Sequence, residues 1–521
     1  MQEHNLSLTE RLYDRFFFWL RENSLTFFSS VIFGLITHMF VMTNKLPNHD
    51  DVAYLFGKGA TVSSGRWGLE LLRYIIPDYS MPCLHGIVSL LLLSISICII
   101  AELFQIRSRL GRVLLSALIV SFPSQTGTFC YMYTSSCYAV AFLLSILAVR
   151  EASGSGWKHW IISVILIVLV FSIYQAYISI VSSLMILMMI RDLLSSNGES
   201  RALPVLKRGI LFVAILLAGL ELYRVTIQVS LHFIGGAVNQ YSNEAQEMGP
   251  GFPGGILTAY KYFFYNLVSR YNMIIVSRTS RAIHFFCFAI AAVGVVSAII
   301  RGKNLWNALL LLLCLVFLPL SICCLYMVFY WNTIHTLVLY SYFTLYLLTI
   351  LSVEQLPVPV VHAGRDLVYC ALTLIVGINV CFANRCYLKL FLEYENAYSL
   401  ATTLVTQIRS LPGYDPDDQV VIYPSAGNIL TFAPEFGTEE EAEHDLMGIQ
   451  VQLLTGYTEE DFFRRFIGAE LNIVSNKQAQ REITDRDFAR MPSYPADGSV
   501  KRVDDGLIFV KFPSEFEPDW D

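Results

Sequence analysis

Residues 83–101 read CLHGIVSLLLLSISICIIA, an apolar stretch without Lys, Arg, Asp or Glu. A helix of about 20 such residues crosses the roughly 30 Å hydrocarbon core of a bilayer. Similar stretches recur, so that 55% of the chain is hydrophobic and only 15% is charged. The predicted spans lie near 25–43, 83–101, 113–129, 134–149, 159–174, 176–194, 209–231, 282–300, 305–326, 334–352 and 367–383. This pattern predicts an α-helical polytopic membrane protein with about eleven transmembrane helices, and a re-entrant hairpin within 113–149 or 159–194 would change that count by two.

Charge divides the chain into two parts. Residues 384–521 contain 12 basic and 25 acidic side chains, although the whole chain has a net charge of only −6. This last part has a helical pattern at about 387–411 and strand-like stretches at 419–423, 471–475 and 507–512. The alternation predicts a small soluble α/β domain. Its acidity argues against nucleic acid as a partner.

Short connections between the spans predict the orientation in the membrane. The connections near 130–133, 175 and 327–333 contain no Lys or Arg, whereas the opposite set is basic. The basic residues of that set are Arg107, Arg109, Arg112, Arg150, Lys158, Arg191, Arg201, Lys207, Arg208, Arg301 and Lys303. By the positive-inside rule, the N-terminus is cytoplasmic and residues 384–521 are extracytoplasmic.

Three regions flank or interrupt the membrane part, which we place at 25–383. Residues 1–24 carry charges of both signs and apolar residues at helical spacing, which predicts an amphipathic helix on the cytoplasmic surface. Two connections on the predicted outer side, 44–82 and 235–281, are much longer than the others. Long loops on one side indicate function on that side.

The first outer loop contains the most informative cluster, Asn48-His49-Asp50-Asp51. One interpretation is a solvated loop in which Asp50 or Asp51 caps the helix that starts there. The other is a general base at the lipid–water boundary, a carboxylate that takes the proton of an acceptor hydroxyl while a sugar leaves a phosphate. A leaving phosphate needs cations. Those predicted on this side are Lys45, Arg66, Arg73, Arg270, Arg278 and Arg281.

The stretch Ser64-Gly65-Arg66-Trp67-Gly68, the acidic first loop and the outer domain after the last span together resemble the GtrII-type membrane glucosyltransferases of bacteria. That family is placed with the polytopic GT-C glycosyltransferases. The resemblance implies inverting transfer of a sugar, such as glucose, from a polyprenyl-phosphate carrier to an envelope glycan such as O-antigen or teichoic acid. It also implies a place in the bacterial cytoplasmic membrane and, as pathway partners, a donor synthase and a flippase.

The same resemblance implies roles for individual residues. The family's acidic position falls on Asp50 or Asp51, with Asp50 preferred as the base. GT-C enzymes often have a basic residue near a late span to hold the carrier phosphate, but residues 330–334 contain none. His335 is the candidate there, and its alternative is a hydrogen-bonded packing residue. The candidates for binding the donor phosphate are Arg66, Lys45, Arg73, Arg270 and His335.

Polar and aromatic residues of the first loop and of a tight outer turn are candidates for binding the sugar. They are Trp67, Glu70, Tyr174, Gln175 and Tyr177. The alternative for the tyrosines is ordinary anchoring at the membrane interface. Neither long outer loop contains a DxD pair or a His/Asp cluster with metal-ligand spacing, so neither an essential metal nor a cofactor is predicted.

Two other functions remain open at this point. A flippase or transporter of a lipid-linked sugar should have ionisable residues at mid-membrane, and the spans offer few beyond Glu221 and Arg224. A polysaccharide polymerase or ligase is also multi-spanning and outward-facing, but such proteins tend to have their large loop late in the chain. The acidic cluster lies in the first loop here, which favours the transferase.

Overall fold

A computed structural model describes residues 7–56, 61–76, 79–196, 199–234, 254–268, 274–276, 278–328, 335–354, 358–424, 426, 453–456, 458–474, 488, 490–504 and 506–513. The α-helices are α1 (Leu8–Glu22), α2 (Ser24–Thr43), α3 (His49–Ala53), α4 (Trp67–Leu72), α5 (Pro82–Leu103), α6 (Arg109–Val120), α7 (Pro123–Cys130), α8 (Met132–Ala152), α9 (Trp157–Ile173), α10 (Ile178–Leu194), α11 (Ala202–Ile234), α12 (Gly254–Val268), α13 (Arg278–Gly302), α14 (Leu305–Ile322), α15 (Leu325–Val328), α16 (Phe343–Glu354), α17 (Val358–Arg409) and α18 (Glu459–Phe462). The strands are β1 (Gln419–Tyr423), β2 (Asn472–Ile473), β3 (Val500–Asp504) and β4 (Leu507–Lys511).

Eight helices of the described residues are long and apolar enough to cross a membrane, or nine if the bent pair α6–α7 is one span. The predicted spans near 159–174 and 334–352 correspond to shorter apolar helices. The first is α9, with 17 residues, and the second is α16, with 12. Helix α16 is short because residues 336–342 form two 3-10 turns before it begins. The chain is therefore a multi-pass membrane protein, while the total of eleven spans stays a prediction.

The N-terminal helix α1 begins with a capping box. The Ser7 hydroxyl accepts a hydrogen bond from the Glu10 N–H at 3.2 Å, and the Glu10 carboxylate accepts one from the Ser7 N–H at 2.7 Å, which satisfies two donors at the helix start. Several large apolar side chains of α1 are exposed, including Leu8, Leu12 and Phe16. An exposed apolar face of this kind suits a helix that lies along a membrane surface.

Helix α7 continues α6 after a bend of 43°, and the bend has a visible cause. Pro123 has no N–H, so the carbonyl of Ile119, four residues earlier, loses its helical partner. The hydroxyl of Tyr340 donates to that carbonyl at 2.9 Å. The imidazole of His38 donates to the next carbonyl, that of Val120, at 2.8 Å. The predicted span 113–129 is therefore a broken helix, and all eight residues of α7 are buried.

Helix α17 joins the membrane part to the C-terminal domain. It runs without a break over 52 residues, a length of about 78 Å at 1.5 Å per residue. The sequence predicts a span near 367–383 and a separate helix at about 387–411, whereas the structure has one helix across both. The C-terminal domain therefore has a stiff connection to the membrane part.

The described strands form one four-stranded sheet in the order β2-β1-β4-β3. Strand β1 pairs in parallel with β2 and β4, and β3 pairs antiparallel with β4. Apolar residues of β1 and β4 pack against α17 in one cluster that includes Leu400, Leu404, Ile408, Val420, Ile422, Ile508 and Val510. This cluster fixes the sheet on the extramembrane end of α17.

Candidate active site

Helix α3 presents the two first-loop aspartates, and Asn48 is its cap. The side-chain oxygen of Asn48 accepts a hydrogen bond from the N–H of Asp51 at 2.8 Å, the usual N-cap geometry. Its amide group donates to the Cys130 carbonyl, at the end of α7, also at 2.8 Å. The alternative in which Asp50 or Asp51 caps the helix is therefore wrong, because Asn48 occupies that position.

Asp51 is fully buried and is held by its neighbours. The hydroxyl of Ser80 donates to its Oδ1 atom, and Lys45 donates to the same hydroxyl at 2.7 Å. The Lys45 ammonium lies 3.6 Å from Oδ1. Burial lowers the pKa of Lys45, and the charge of Asp51 opposes that shift. Among the described residues, the second oxygen of Asp51, Oδ2, is buried without a hydrogen-bond partner.

Asp50 has different surroundings. Its side chain is 29% exposed, and its Oδ1 lies 3.6 Å from Nε2 of His49. Burial lowers the pKa of His49 by more than the neighbouring carboxylates raise it, which favours the neutral imidazole. Burial and the charge of Asp50 both raise the pKa of Tyr54. Asp50 is therefore the aspartate that a substrate can reach.

The SGRWG stretch contains two glycines at positions where a larger residue would crowd its neighbours. Gly65 has a φ of +77°, and a Cβ there would lie 2.9 Å from the Tyr223 hydroxyl. That hydroxyl donates to the Gly65 carbonyl at 3.0 Å, and Gln175 donates to the Ser64 carbonyl at 3.1 Å. A Cβ at Gly68 would lie 3.0 Å from the backbone carbon of Ser172 on α9. These contacts fix the direction of Arg66 between the two glycines.

Arg66 lies against an aromatic cluster formed by α8 and the turn before α10. Its guanidinium lies 5.5 Å from the centre of the Tyr174 ring and donates a long hydrogen bond of 3.4 Å to Tyr138. The rings of Tyr138 and Tyr174 are stacked at 4.2 Å. On the same helix as Tyr138, the ring of Tyr133 lies 5.9 Å from the ring of Tyr54, the residue that follows α3. Tyrosines of α8 therefore contact both the end of α3 and Arg66.

The remaining first-loop candidates have local partners. Glu70 accepts hydrogen bonds from Thr61 at 3.0 Å and from Arg73 at 2.6 Å. Glu70 and Arg73 thus form an ion pair on α4. The indole N–H of Trp67 is buried and has no hydrogen-bond partner among the described residues.

Of the candidates outside the first loop, Tyr174 lies against Arg66, Gln175 donates to the nearby Ser64 carbonyl, and the ring of Tyr177 lies 5.0 Å from that of Tyr174. Tyr177 is buried and packs against Phe142 and Tyr340, which indicates a packing role. His335 is half-buried at the start of a 3-10 turn, and burial lowers its pKa, which disfavours the cationic form. Arg270 lies outside the described residues.

Several residues of the site are not indicated by the sequence. Ser80 lies 29 positions after Asp51, and nothing in the local pattern connects them. Tyr138 lies in the predicted span 134–149 and Tyr133 in the short connection before it, where aromatic residues are most often ordinary packing or interface residues. Within the described part of the chain, no group of three His, Cys, Asp or Glu side chains is arranged to hold a metal ion.

The family assignment covers this site. The sequence model of the family described as glucosyl transferase GtrII matches residues 39–352, which is more than half of the chain. The matched region contains α3, the SGRWG stretch and the tyrosines beside Arg66. No curated protein and no solved structure matches the chain. The resemblance noted in the sequence is confirmed, and the protein belongs to the GtrII glucosyl transferase family.

Proposed function

We propose that this glycosyltransferase moves glucose from a polyprenyl-phosphate carrier to an envelope glycan on the extracytoplasmic face, with Asp50 as the general base. The observation that carries the proposal is the contrast between the two aspartates. Asp50 is partly exposed on α3, whereas Asp51 is buried and held by Ser80. A general base must reach its substrate.

The reaction is a single displacement at the anomeric carbon. Asp50 takes the proton of an acceptor hydroxyl as that oxygen forms a bond to the anomeric carbon of glucose. The bond from this carbon to the phosphate oxygen breaks, and its electron pair stays on the phosphate. Arg66 stabilises the charge that develops there, since a preorganised guanidinium binds phosphate strongly. Attack opposite to the leaving phosphate inverts the configuration.

The carrier lipid has a route to Arg66 along α11. One side of this helix exposes apolar residues, including Leu217, Leu222, Val225 and Val229. On the other side, Tyr223 is buried and donates to the carbonyl of Gly65, next to Arg66. In this proposal the isoprenoid chain lies against α11, whose exposed surface also carries the Glu221–Arg224 ion pair, and its phosphate lies at the SGRWG stretch.

The proposal also includes an orientation of the chain in the membrane. We place the N-terminus in the cytoplasm and the α17–sheet domain outside, with eleven crossings if α9, α16 and the broken helix α6–α7 are each counted as a span. The carrier is then used on the face where envelope glycans are exposed. The membrane in question is the bacterial cytoplasmic membrane, and a donor synthase and a flippase supply the carrier on this face.

The test is sugar transfer by the purified protein in lipid nanodiscs. Radiolabelled glucose on undecaprenyl phosphate is offered with envelope glycan as acceptor, and UDP-glucose serves as the control donor. We expect label in the glycan only from the lipid-linked donor. Absence of transfer from this donor, together with movement of the labelled lipid across liposomes that contain the protein, would reject the proposal in favour of a flippase.

A further inference from the structure

Helix α3 is shared between the membrane part and the C-terminal domain. Its cap residue Asn48 is bonded to α7 of the membrane part through the Cys130 carbonyl. Its Val52 side chain, fully buried, belongs to the apolar cluster of the C-terminal domain, together with Phe462 and Phe463. Residues more than 400 positions apart therefore form one unit around the helix that presents Asp50.

One side chain of the C-terminal domain holds the end of α3 directly. Arg465 donates two hydrogen bonds from Nη1, to the carbonyl of Val52 at 3.0 Å and to that of Ala53 at 2.9 Å. The last carbonyls of a helix have no partner within it, and a cation there also suits the negative end of the helix dipole. The Arg465 side chain is 20% exposed, and Asp461 lies 3.1 Å from its Nη2. The guanidinium also lies 5.8 Å from the centre of the Phe56 ring.

From these contacts we infer that the C-terminal domain completes the active site, with Arg465 as the positioning residue that keeps α3, and with it Asp50, in the reactive orientation. The catalytic consequence rests on the proposed function, in which Asp50 is the base. Arg465 touches no reacting atom in this account. It acts through the two carbonyls, so its loss should misalign the base without removing any group from the reaction.

The neighbouring Arg464 provides a matched control. It has the same charge, lies on the same turn and pairs with Asp461 at 2.6 Å and with Glu460 at 3.8 Å. Its side chain is more exposed, at 47%, and both of these partners belong to α18. Removing Arg464 therefore tests the loss of a positive charge from this turn while the bonds to α3 remain.

The first readout is amide hydrogen exchange of α3 in the full-length protein. Two amides report on the helix, Val52 N–H, which donates to Asn48 at 3.1 Å, and Tyr54 N–H, which donates to Asp50 at 2.8 Å. We expect Arg465→Ala to speed their exchange by about tenfold, because local opening becomes easier. Arg465→Lys should give an intermediate rate, and Arg464→Ala should match the wild type. Wild-type exchange in Arg465→Ala, or equal acceleration in Arg464→Ala, would overturn the inference.

The second readout separates positioning from binding in the transfer reaction. Misplacement of a base lowers kcat by about tenfold to a hundredfold while the KM for the donor stays near its wild-type value. Arg465→Lys should restore part of kcat. Faster exchange with unchanged kcat would contradict the link to catalysis. If the wild type transfers no sugar, the proposed function fails, whereas the exchange of the α3 amides still decides whether Arg465 positions the helix.

Discussion

At the scale of single residues, helix geometry separates Asp50 from Asp51. Consecutive residues of a helix point about 100° apart, so one carboxylate of α3 faces Ser80 and Lys45 while the other is partly exposed. Aspartates adjacent in the chain can therefore have different tasks, one in holding the loop and one in chemistry. The difference depends on which neighbours each side chain meets.

Gly65 gives a prediction at this scale. Its φ of +77° costs an alanine about 1 kcal/mol, and the new Cβ would lie 2.9 Å from the hydroxyl of Tyr223. We expect Gly65→Ala to lower the kcat of sugar transfer by about tenfold or more, because Arg66 follows directly in the chain. The measurement is transfer from undecaprenyl-phosphate glucose.

Gly156 serves as the control for Gly65. It also has a positive φ, +107°, but a Cβ there would meet nothing within 4 Å. Gly156→Ala thus introduces backbone strain without crowding. If both variants lose the same share of activity, the crowding at Tyr223 is irrelevant and the account of the SGRWG stretch is wrong.

The sequence predicted part of this site, and the limits have physical reasons. A carboxylate next to cations on one loop is visible in the order of residues, so Asp50, Asp51, Lys45 and Arg66 were all candidates. The buried hydrogen bond from Ser80 to Asp51 depends on how residues 61–76 and 79–81 fold back, which no local sequence pattern indicates. Tyr174 and Tyr177 cannot be distinguished in the sequence. Only the packing shows that Tyr174 lies beside Arg66 and that Tyr177 lies against Phe142.

At the scale of elements, the break between α6 and α7 determines the position of the carbonyl to which the N-cap of α3 is hydrogen-bonded. Cys130, the last residue of α7, supplies the carbonyl that Asn48 binds. The bend itself depends on groups that satisfy the carbonyls freed by Pro123. The hydroxyl of Tyr340 is one of them, at 2.9 Å from the Ile119 carbonyl.

We predict that Tyr340→Phe destabilises the membrane part. The change leaves the buried Ile119 carbonyl without its donor, which costs about 1–3 kcal/mol. The measurement is the apparent Tm of the purified protein in detergent. Tyr398→Phe is the matched control, since Tyr398 is exposed, and its Tm should be close to that of the wild type. Equal Tm values for wild type and Tyr340→Phe would show that the bend does not need this hydrogen bond.

Helices were easier to predict than their ends. Pro123 is visible in the sequence and explains the break, but hydropathy placed one continuous span there because apolar residues continue on both sides. The opposite error occurred at α17, where charged Arg385 and Lys389 mark the exit from the apolar stretch. Hydropathy indicates where the chain leaves the hydrocarbon core of the membrane, and a helix does not have to end there. Helix α17 therefore continues to Arg409.

At the scale of the whole molecule, the proposed function places the two ends of the chain on opposite sides of the membrane. We predict that alkaline phosphatase fused after residue 521 is active in cells, since that enzyme folds only outside the cytoplasm, and that green fluorescent protein fused at the same place is dark. Green fluorescent protein fused before residue 1 should fluoresce. The reverse pattern would move α3 and Arg66 to the cytoplasmic face and exclude transfer outside the cell.

The most direct test of the central claim compares two single-atom changes in adjacent residues. Sugar transfer from undecaprenyl-phosphate glucose is measured for wild type, Asp50→Asn and Asp51→Asn, each checked for folding and donor binding. We predict that Asp50→Asn lowers kcat by about a hundredfold to ten-thousandfold, the usual contribution of a general base. Asp51→Asn should keep most of kcat but lose about 1–3 kcal/mol of stability, because the buried carboxylate that Ser80 and Lys45 hold is removed. Near-normal transfer by Asp50→Asn would contradict the account.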